Sequence, residues 1–184
     1  MTNSKFKIIK NFLEPNFFEN LKGNILNLEF PWYRRKRQVF TKDKLELGYF
    51  THSFYNNHTA TSPYSRDWIL PILDKLNAKS VIEVRANLTP SVFFLGNRGS
   101  AFHTDHPTKN KTAILYLNTC DGGTDIEVDN ECIFVKAEEN KIVIFDSNLL
   151  HRGVVSNNSD FRWIINFNYF EKDPKEVTNE QSRA

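Results

Sequence analysis

The segment Ala101-Phe102-His103-Thr104-Asp105-His106-Pro107 holds an imidazole and a carboxylate two residues apart. On an extended strand, residues i and i+2 share a face, so His103 and Asp105 would stand about 7 Å apart and could close on one ion. They need a third ligand. The stretch KIVIFDSNLLHRGVV supplies His151, 46 residues after Asp105 and just beyond an apolar run. Two imidazoles and one carboxylate on one face of an octahedron leave three cis positions open, a donor set suited to iron(II) and oxygen chemistry. An HxD pair alone is a weak signal. Here it sits in an ordered series: strand, HxD, strand, Gly-rich turn, strand, His, then a basic residue on the next strand. His106 competes with His103, but three residues away it would not share the same strand face.

The elements that must position these groups are mostly strands. Apolar and β-branched runs occur at 81–88, 92–96, 112–118, 124–128, 132–137, 141–146 and 162–170, separated by Gly, Asn and Asp clusters. So many short strands close together predict a sandwich or barrel. Three of them pair a polar face with an apolar one. In 162–170, Arg162, Ile164, Asn166 and Asn168 oppose Trp163, Ile165, Phe167 and Tyr169. In 81–88, Val81, Glu83, Arg85 and Asn87 oppose Ile82, Val84, Ala86 and Leu88. In 112–118, Thr112, Ile114, Tyr116 and Asn118 oppose Ala113, Leu115 and Leu117. Such a polar face either meets solvent or lines an internal cavity while helices cover the apolar side. The metal motif favours the cavity.

Ahead of the strands, Phe17, Phe18, Leu21, Ile25 and Leu28 form a helical stripe, with Pro15 at its first turn. DWILPILDKLNA reads as a second, short helix that Pro71 starts or kinks. Gly122 and Gly123 are expected to make a turn, and Phe102, Trp163 and Phe167 to be core. The chain has 184 residues, 40% of them hydrophobic, enough for one folded domain. We divide it into a helical lead-in (1–80), a barrel core (81–170) and a frayed tail (171–184). Two cysteines, Cys120 and Cys132, are too few for a disulfide scaffold and are expected to be free thiols. No stretch approaches the ~18 apolar residues of a membrane span, and the first residues lack a signal-peptide pattern. A cytoplasmic location is expected.

Taken together, FHTDHP, KTAILYLN, DGGTDIEV, NKIVIFDSNLLHRGVV and FRWIINFNYF resemble the 2-oxoglutarate/iron(II) dioxygenase superfamily, particularly its small prolyl-hydroxylase-like branch. The resemblance covers about residues 81–170, and more loosely the lead-in. It implies a mainly β fold with flanking helices, the double-stranded β-helix, a jelly-roll or cupin-like barrel open at one end. It implies iron(II) on His103, Asp105 and His151, with 2-oxoglutarate and O2 as cosubstrates and ascorbate as a supporting reductant. Arg162, 11 residues after His151, matches the basic residue that binds the far carboxylate of 2-oxoglutarate, and Tyr116 matches the tyrosine that supports it. Thr112 is expected to line the pocket. Asn87, or Arg85, stands where a polar residue often meets the cosubstrate. Small proteins of this kind also occur in bacteriophages, which would place this one in a host cytoplasm.

The implied reaction couples decarboxylation of 2-oxoglutarate to succinate with C–H hydroxylation, and a carboxylate at Asp105 fits hydroxylation rather than halogenation. The short HPTKNK loop departs from the family where the substrate mouth is shaped, so substrate does not carry over. A peptide or protein side chain, or a free amino acid, is the expected class. Oxidative modification or demethylation of nucleic acid is the alternative, resting on Tyr33-Arg34-Arg35-Lys36-Arg37 beside Trp32. A non-catalytic, metal-binding cupin-like module is the reading without an enzyme.

Overall fold

The computed structural model describes residues 6–35, 48–91, 99–106 and 108–173. The segment 92–96, Lys36 and Arg37, and the tail from 174 onward lie outside the described residues. The chain opens with β1 (Phe6–Ile9) and α1 (Pro15–Ile25). β2 (Tyr33–Arg35), β3 (Tyr49–Asn56) and β4 (Thr59–Ala60) follow, then a π-helical turn (Ser65–Ile69) that runs into α2 (Leu70–Lys75). The barrel strands are β5 (Ala78–Pro90), β6 (Lys111–Tyr116), β7 (Gly123–Val128), β8 (Glu131–Lys136), β9 (Ile142–Asp146), β10 (His151–Val154) and β11 (Phe161–Glu171).

The strands form two antiparallel sheets. The larger runs β1-β9-β6-β11-β5-β3-β2 with β4 paired to β3, and the smaller runs β10-β7-β8. Alternation along β11 assigns its two faces. Ile165, Phe167 and Tyr169 pack with Val84, Ala86, Ala113 and Leu115 under Phe18, Leu21 and Ile25 of α1 and Ile72 and Leu73 of α2. On the other face, Ile164, Ile114 and Tyr116 meet Ile126, Val128 and Val135 of the smaller sheet in a second core. The polar residues of β5 and β11 therefore point between the sheets, and the expected cavity reading holds.

The lead-in carries strands as well as helix. β1 extends the large sheet beyond β9 and β3 extends it beyond β5. Asn140 ties the lead-in to the barrel: its amide nitrogen donates to the Leu13 carbonyl and its Oδ1 accepts from the Leu13 N–H, each at 2.8 Å. Pro15 and Pro71 both fall in first turns of their helices, where a missing N–H costs nothing.

Three expectations need correcting. Leu28 is fully exposed, because α1 stops at Ile25. The Asn27 side chain accepts from the Glu29 N–H at 2.9 Å and pulls the backbone into a turn. Phe102 is half-buried rather than core, with the Arg152 guanidinium 4.5 Å above its ring. Trp163 is likewise only partly buried, whereas Phe167 is fully buried. Gly122 and Gly123 serve close approach, not turn geometry: neither has a positive φ. A Cβ on Gly122 would sit 2.7 Å from the Val154 carbonyl oxygen, and one on Gly123 would strike that of Val135. Asp129 and Asn130, both at positive φ, make the tight turn of the next connection, between β7 and β8. Cys120 and Cys132 are free thiols, one buried and one exposed.

Candidate metal centre

His103 and His151 face each other across a single antiparallel bridge. The His103 N–H donates to the His151 carbonyl at 3.0 Å and the return bond is 2.9 Å. This bridge, rather than a continuous strand, aligns the motif; Asp105 lies just past it in a bend. The candidate ligand atoms of His103, Asp105 and His151 all lie within 4.8 Å of one another. His151 Nε2 stands 3.5 Å and His103 Nε2 3.8 Å from Asp105 Oδ1.

The second ring nitrogens fix which atoms face inward. His151 Nδ1 lies 3.0 Å from the Leu149 carbonyl and His103 Nδ1 3.2 Å from that of Ala101. A carbonyl only accepts, so Nδ1 carries the proton and Nε2 presents its lone pair to the cluster. Burial pushes the Asp105 carboxyl pKa up. The two imidazoles and the Thr112 hydroxyl beside it outweigh burial, and hold Asp105 well below the usual carboxylate range. The site thus offers one carboxylate oxygen and two imidazole lone pairs converging on a point, a donor set that fits a divalent metal such as iron(II).

Asp105 is held from behind. Thr112 lies with Oγ1 3.0 Å from Asp105 Oδ2 and 2.9 Å from Asn168 Oδ1. With one proton to give, Thr112 serves one of these acceptors at a time. Asn166 reaches the same Asp105 oxygen with Nδ2 at 3.5 Å. Thr112 is fully buried and does not line the cavity, unlike its expected role; its alternation is inward, but Asp105 takes its hydroxyl.

The cluster opens onto a cavity of about 420 Å³ lined from both sheets. Arg162, 4% exposed, lies on its wall. Its Nη2 donates to Thr124 Oγ1 at 2.9 Å, while its buried Nε has no hydrogen-bond partner. Among the described residues no carboxylate lies within ion-pair distance of it. A buried guanidinium without an anion is costly. Tyr116 lies against it, with the Arg162 Cζ 5.6 Å from the ring centroid, but does not line the cavity. The tyrosine hydroxyl donates to Thr124 Oγ1 at 2.8 Å. Burial raises its pKa, so it stays a neutral donor.

Thr124 is the residue that sequence reasoning missed. Its oxygen accepts from Arg162 and, when the tyrosine proton is not given to the Val135 carbonyl 3.3 Å away, from Tyr116, which then leaves its own proton free for a ligand in the cavity. Alternation in GTDIEV could have placed it on the inward face, but no spacing rule ties a threonine there to Arg162. Asn87 lines the cavity with a buried, partnerless Oδ1; Arg85 lines it too, paired with Glu83. His106 also lines the cavity but falls outside the cluster. Arg34 and Arg35 lie exposed on β2, apart from the lining.

No family model matches the sequence, and no curated protein matches it. Solved structures do. A Pseudomonas putida prolyl-4-hydroxylase superposes with a TM-score of 0.67 at 13% identity, over 91% of this chain and 93% of that one. A 2OG-Fe(II) oxygenase family oxidoreductase from Burkholderia pseudomallei gives 0.68 at 10% identity, over 92% and 86%. A Trichoplax adhaerens prolyl hydroxylase, solved with a peptide fragment of the hypoxia inducible factor oxygen degradation domain, gives 0.66 at 15%, over 96% and 88%. The chain therefore has the double-stranded β-helix fold of the 2-oxoglutarate/iron(II) oxygenases, prolyl hydroxylases among them.

Proposed function

We propose that this chain is an iron(II)- and 2-oxoglutarate-dependent dioxygenase that hydroxylates a C–H bond of its substrate. The observation that carries the proposal is the pairing, in one cavity, of a His103–Asp105–His151 cluster with a buried Arg162 that lacks an anion. His103, Asp105 and His151 would hold the iron. Arg162 and the free Thr124 proton would hold the far carboxylate of 2-oxoglutarate, with Tyr116 bracing both. Bound iron(II) and 2-oxoglutarate supply oxygen activation coupled to decarboxylation to succinate, with ascorbate keeping the metal reduced.

Each residue of the chain then has a defined task. The Ala101 and Leu149 carbonyls hold the two imidazoles in the Nδ1-protonated tautomer. Thr112 and Asn166 orient the Asp105 carboxylate. Asp105 contributes a negative charge where a smaller residue would leave a position open for halide. Asn87 flanks the path between the cluster and Arg162. A cavity walled by two sheets limits water at the reacting carbon.

Anaerobic addition of iron(II) and 2-oxoglutarate tests this reading. A visible charge-transfer band is expected for wild type and not for Asp105→Ala, and succinate formation should vanish in that variant. Wild-type succinate production by Asp105→Ala would refute the ligand assignment, and a wild type with no band and no turnover would favour the non-catalytic module. The substrate is proposed to be an amino acid, free or in a peptide; the peptide-bound Trichoplax structure is compatible with the latter. Oxidation of nucleic acid is a second reading, because the exposed Arg35 pairs in register with Tyr49, a residue lining the cavity. No binding of single-stranded DNA or RNA at low salt would remove it.

A further inference from the structure

The polar wall of the cavity is a ladder with two chemically different ends. In register, Arg162 of β11 stands opposite Thr89 of β5, Ile164 opposite Asn87, Asn166 opposite Arg85, and Asn168 opposite Glu83. Arg162 marks the anion-binding end. Four residues on, roughly 13 Å by the rise of a strand, Asn166 contacts Asp105. A cosubstrate held between Arg162 and the metal cluster would occupy the rung of Ile164 and Asn87. The rungs of Arg85 and Glu83 lie level with the metal cluster and past it, away from Arg162.

We propose that this far end, formed by Glu83, Arg85 and Asn166, binds the primary substrate as a free α-amino acid in its zwitterionic form. The proposal rests on the metal and 2-oxoglutarate reading above and deepens it. Glu83 and Arg85 pair inside the cavity wall, Oε1 to Nε at 3.3 Å, with side chains 23% and 33% exposed. They present one negative and one positive group side by side. Asn166 spends Nδ2 on Asp105, which leaves its buried Oδ1 without a partner. That acceptor calls for an N–H donor. An ammonium group can donate to Glu83 and to Asn166 Oδ1 together, while a carboxylate takes the planar fork of Arg85.

Charge balance points the same way. The ionised side chains lining the cavity, among the described residues, are Glu83, Arg85, Asp105 and Arg162, which sum to zero. The two positive charges of iron(II) and the two negative charges of 2-oxoglutarate also cancel. A substrate of net zero charge leaves this balance intact, whereas a polyphosphate chain would add uncompensated charge to a low-dielectric space. An amide-linked residue is neutral too, but it gives the Glu83–Arg85 pair no charged groups to exchange for.

The test uses the full chain, anaerobic, with iron(II) and 2-oxoglutarate. Each of the twenty free L-amino acids and its N-acetyl amide is titrated in, reading melting temperature and the visible chelate band. At least one free amino acid should raise the melting temperature and shift the band, and its N-acetyl amide should bind at least tenfold more weakly. Glu83→Gln, Arg85→Gln and the charge-neutral double variant should each weaken that amino acid at least tenfold, while the band formed before its addition persists. A normal band with no free amino acid binding, equal binding of the blocked form, or wild-type affinity in the glutamine variants overturns the assignment alone. Absence of the band in wild type overturns the underlying reading, and the assignment falls with it.

Discussion

Replacing Arg162 by methionine should move stability and ligand affinity in opposite directions. In wild type Arg162 is 4% exposed, donates a hydrogen bond to Thr124, lies against Tyr116, and has a partnerless Nε. The hydrogen bond and ring contact together contribute about 2–3 kcal/mol. Burying a cation with no anion costs several kcal/mol, reduced here because one side of the group meets the cavity. Methionine fills much of the same volume without that cost. The ligand-free variant should therefore melt at the wild-type temperature or a few degrees above it, at about 2–4 °C per kcal/mol for a domain of this size. For 2-oxoglutarate the balance reverses. Truncating one side of a buried charge pair costs about 2–5 kcal/mol, which is on the order of 30- to 4000-fold in affinity. Differential scanning fluorimetry with and without iron(II) and 2-oxoglutarate reads both quantities: wild type should gain melting temperature on addition and Arg162→Met should gain little. An ordinary structural arginine gives the opposite pattern. If the ligand-free variant melts far below wild type while its response to 2-oxoglutarate is undiminished, the reasoning about an anion-seeking guanidinium is wrong.

Thr112→Val keeps the shape but removes the hydroxyl on Asp105, so iron(II) affinity should fall by about tenfold, measured by competition with a chromogenic chelator; unchanged affinity would show that Asn166 alone orients the carboxylate. Phe167→Ala empties a fully buried site between the sheet and the helices and should cost about 3–5 kcal/mol in urea denaturation. His52 is buried, donates from Nδ1 to the Pro31 carbonyl and has its pKa lowered chiefly by desolvation, which outweighs that bond. A pKa below the unfolded value means that stability is complete above about pH 6.5 and is lost as pH falls through that value toward the folded pKa. The urea midpoint should drop between pH 7.5 and pH 5.5, and His52→Gln should shrink that drop; an identical slope in the variant would clear His52 of the effect.

The clustering of His103, Asp105 and His151 was legible because each rests on a local rule that the fold obeys. An i, i+2 spacing and an apolar strand ahead of His151 needed only the pairing of two chain segments, and the His103–His151 bridge supplies it. Element ends were less legible. α1 lost its last expected turn to the Asn27 side chain, a competition between helix and Asx turn that hydrophobic spacing does not record. β1 was missed because a short edge strand needs no complete period of its own, and β3 because it alternates only weakly, with Thr51 and His52 both buried. The part played by Thr112 was misjudged because the direction of a side chain on a correct face depends on what else reaches that face, here Asp105 from a segment seven residues earlier.

Alternation carried more than secondary structure. A single strand with one polar face is compatible with any half-exposed sheet. β5, β6 and β11 are neighbours, and their polar faces coincide only because register aligns them: Asn166 meets Arg85 on one side and Ile114 on the other. The opposite faces are all covered by α1 and α2, so solvent is unavailable to explain the apolar side. What remains is an interior with asparagines, an arginine and an aspartate facing inward, some with atoms left unpaired. Burial of polar groups without partners opposes folding, by about 1–3 kcal/mol for each group left unsatisfied. Bound ligand would offset that cost, so the same residues that weaken the empty barrel are those that give it something to bind. That coupling predicts a larger stabilisation by iron(II) with 2-oxoglutarate than the sum of the two alone, since the metal would satisfy Asp105 and only a cosubstrate seated against that metal would reach Arg162. Simple additivity of the two melting shifts would mean that the two ends of the cavity are independent.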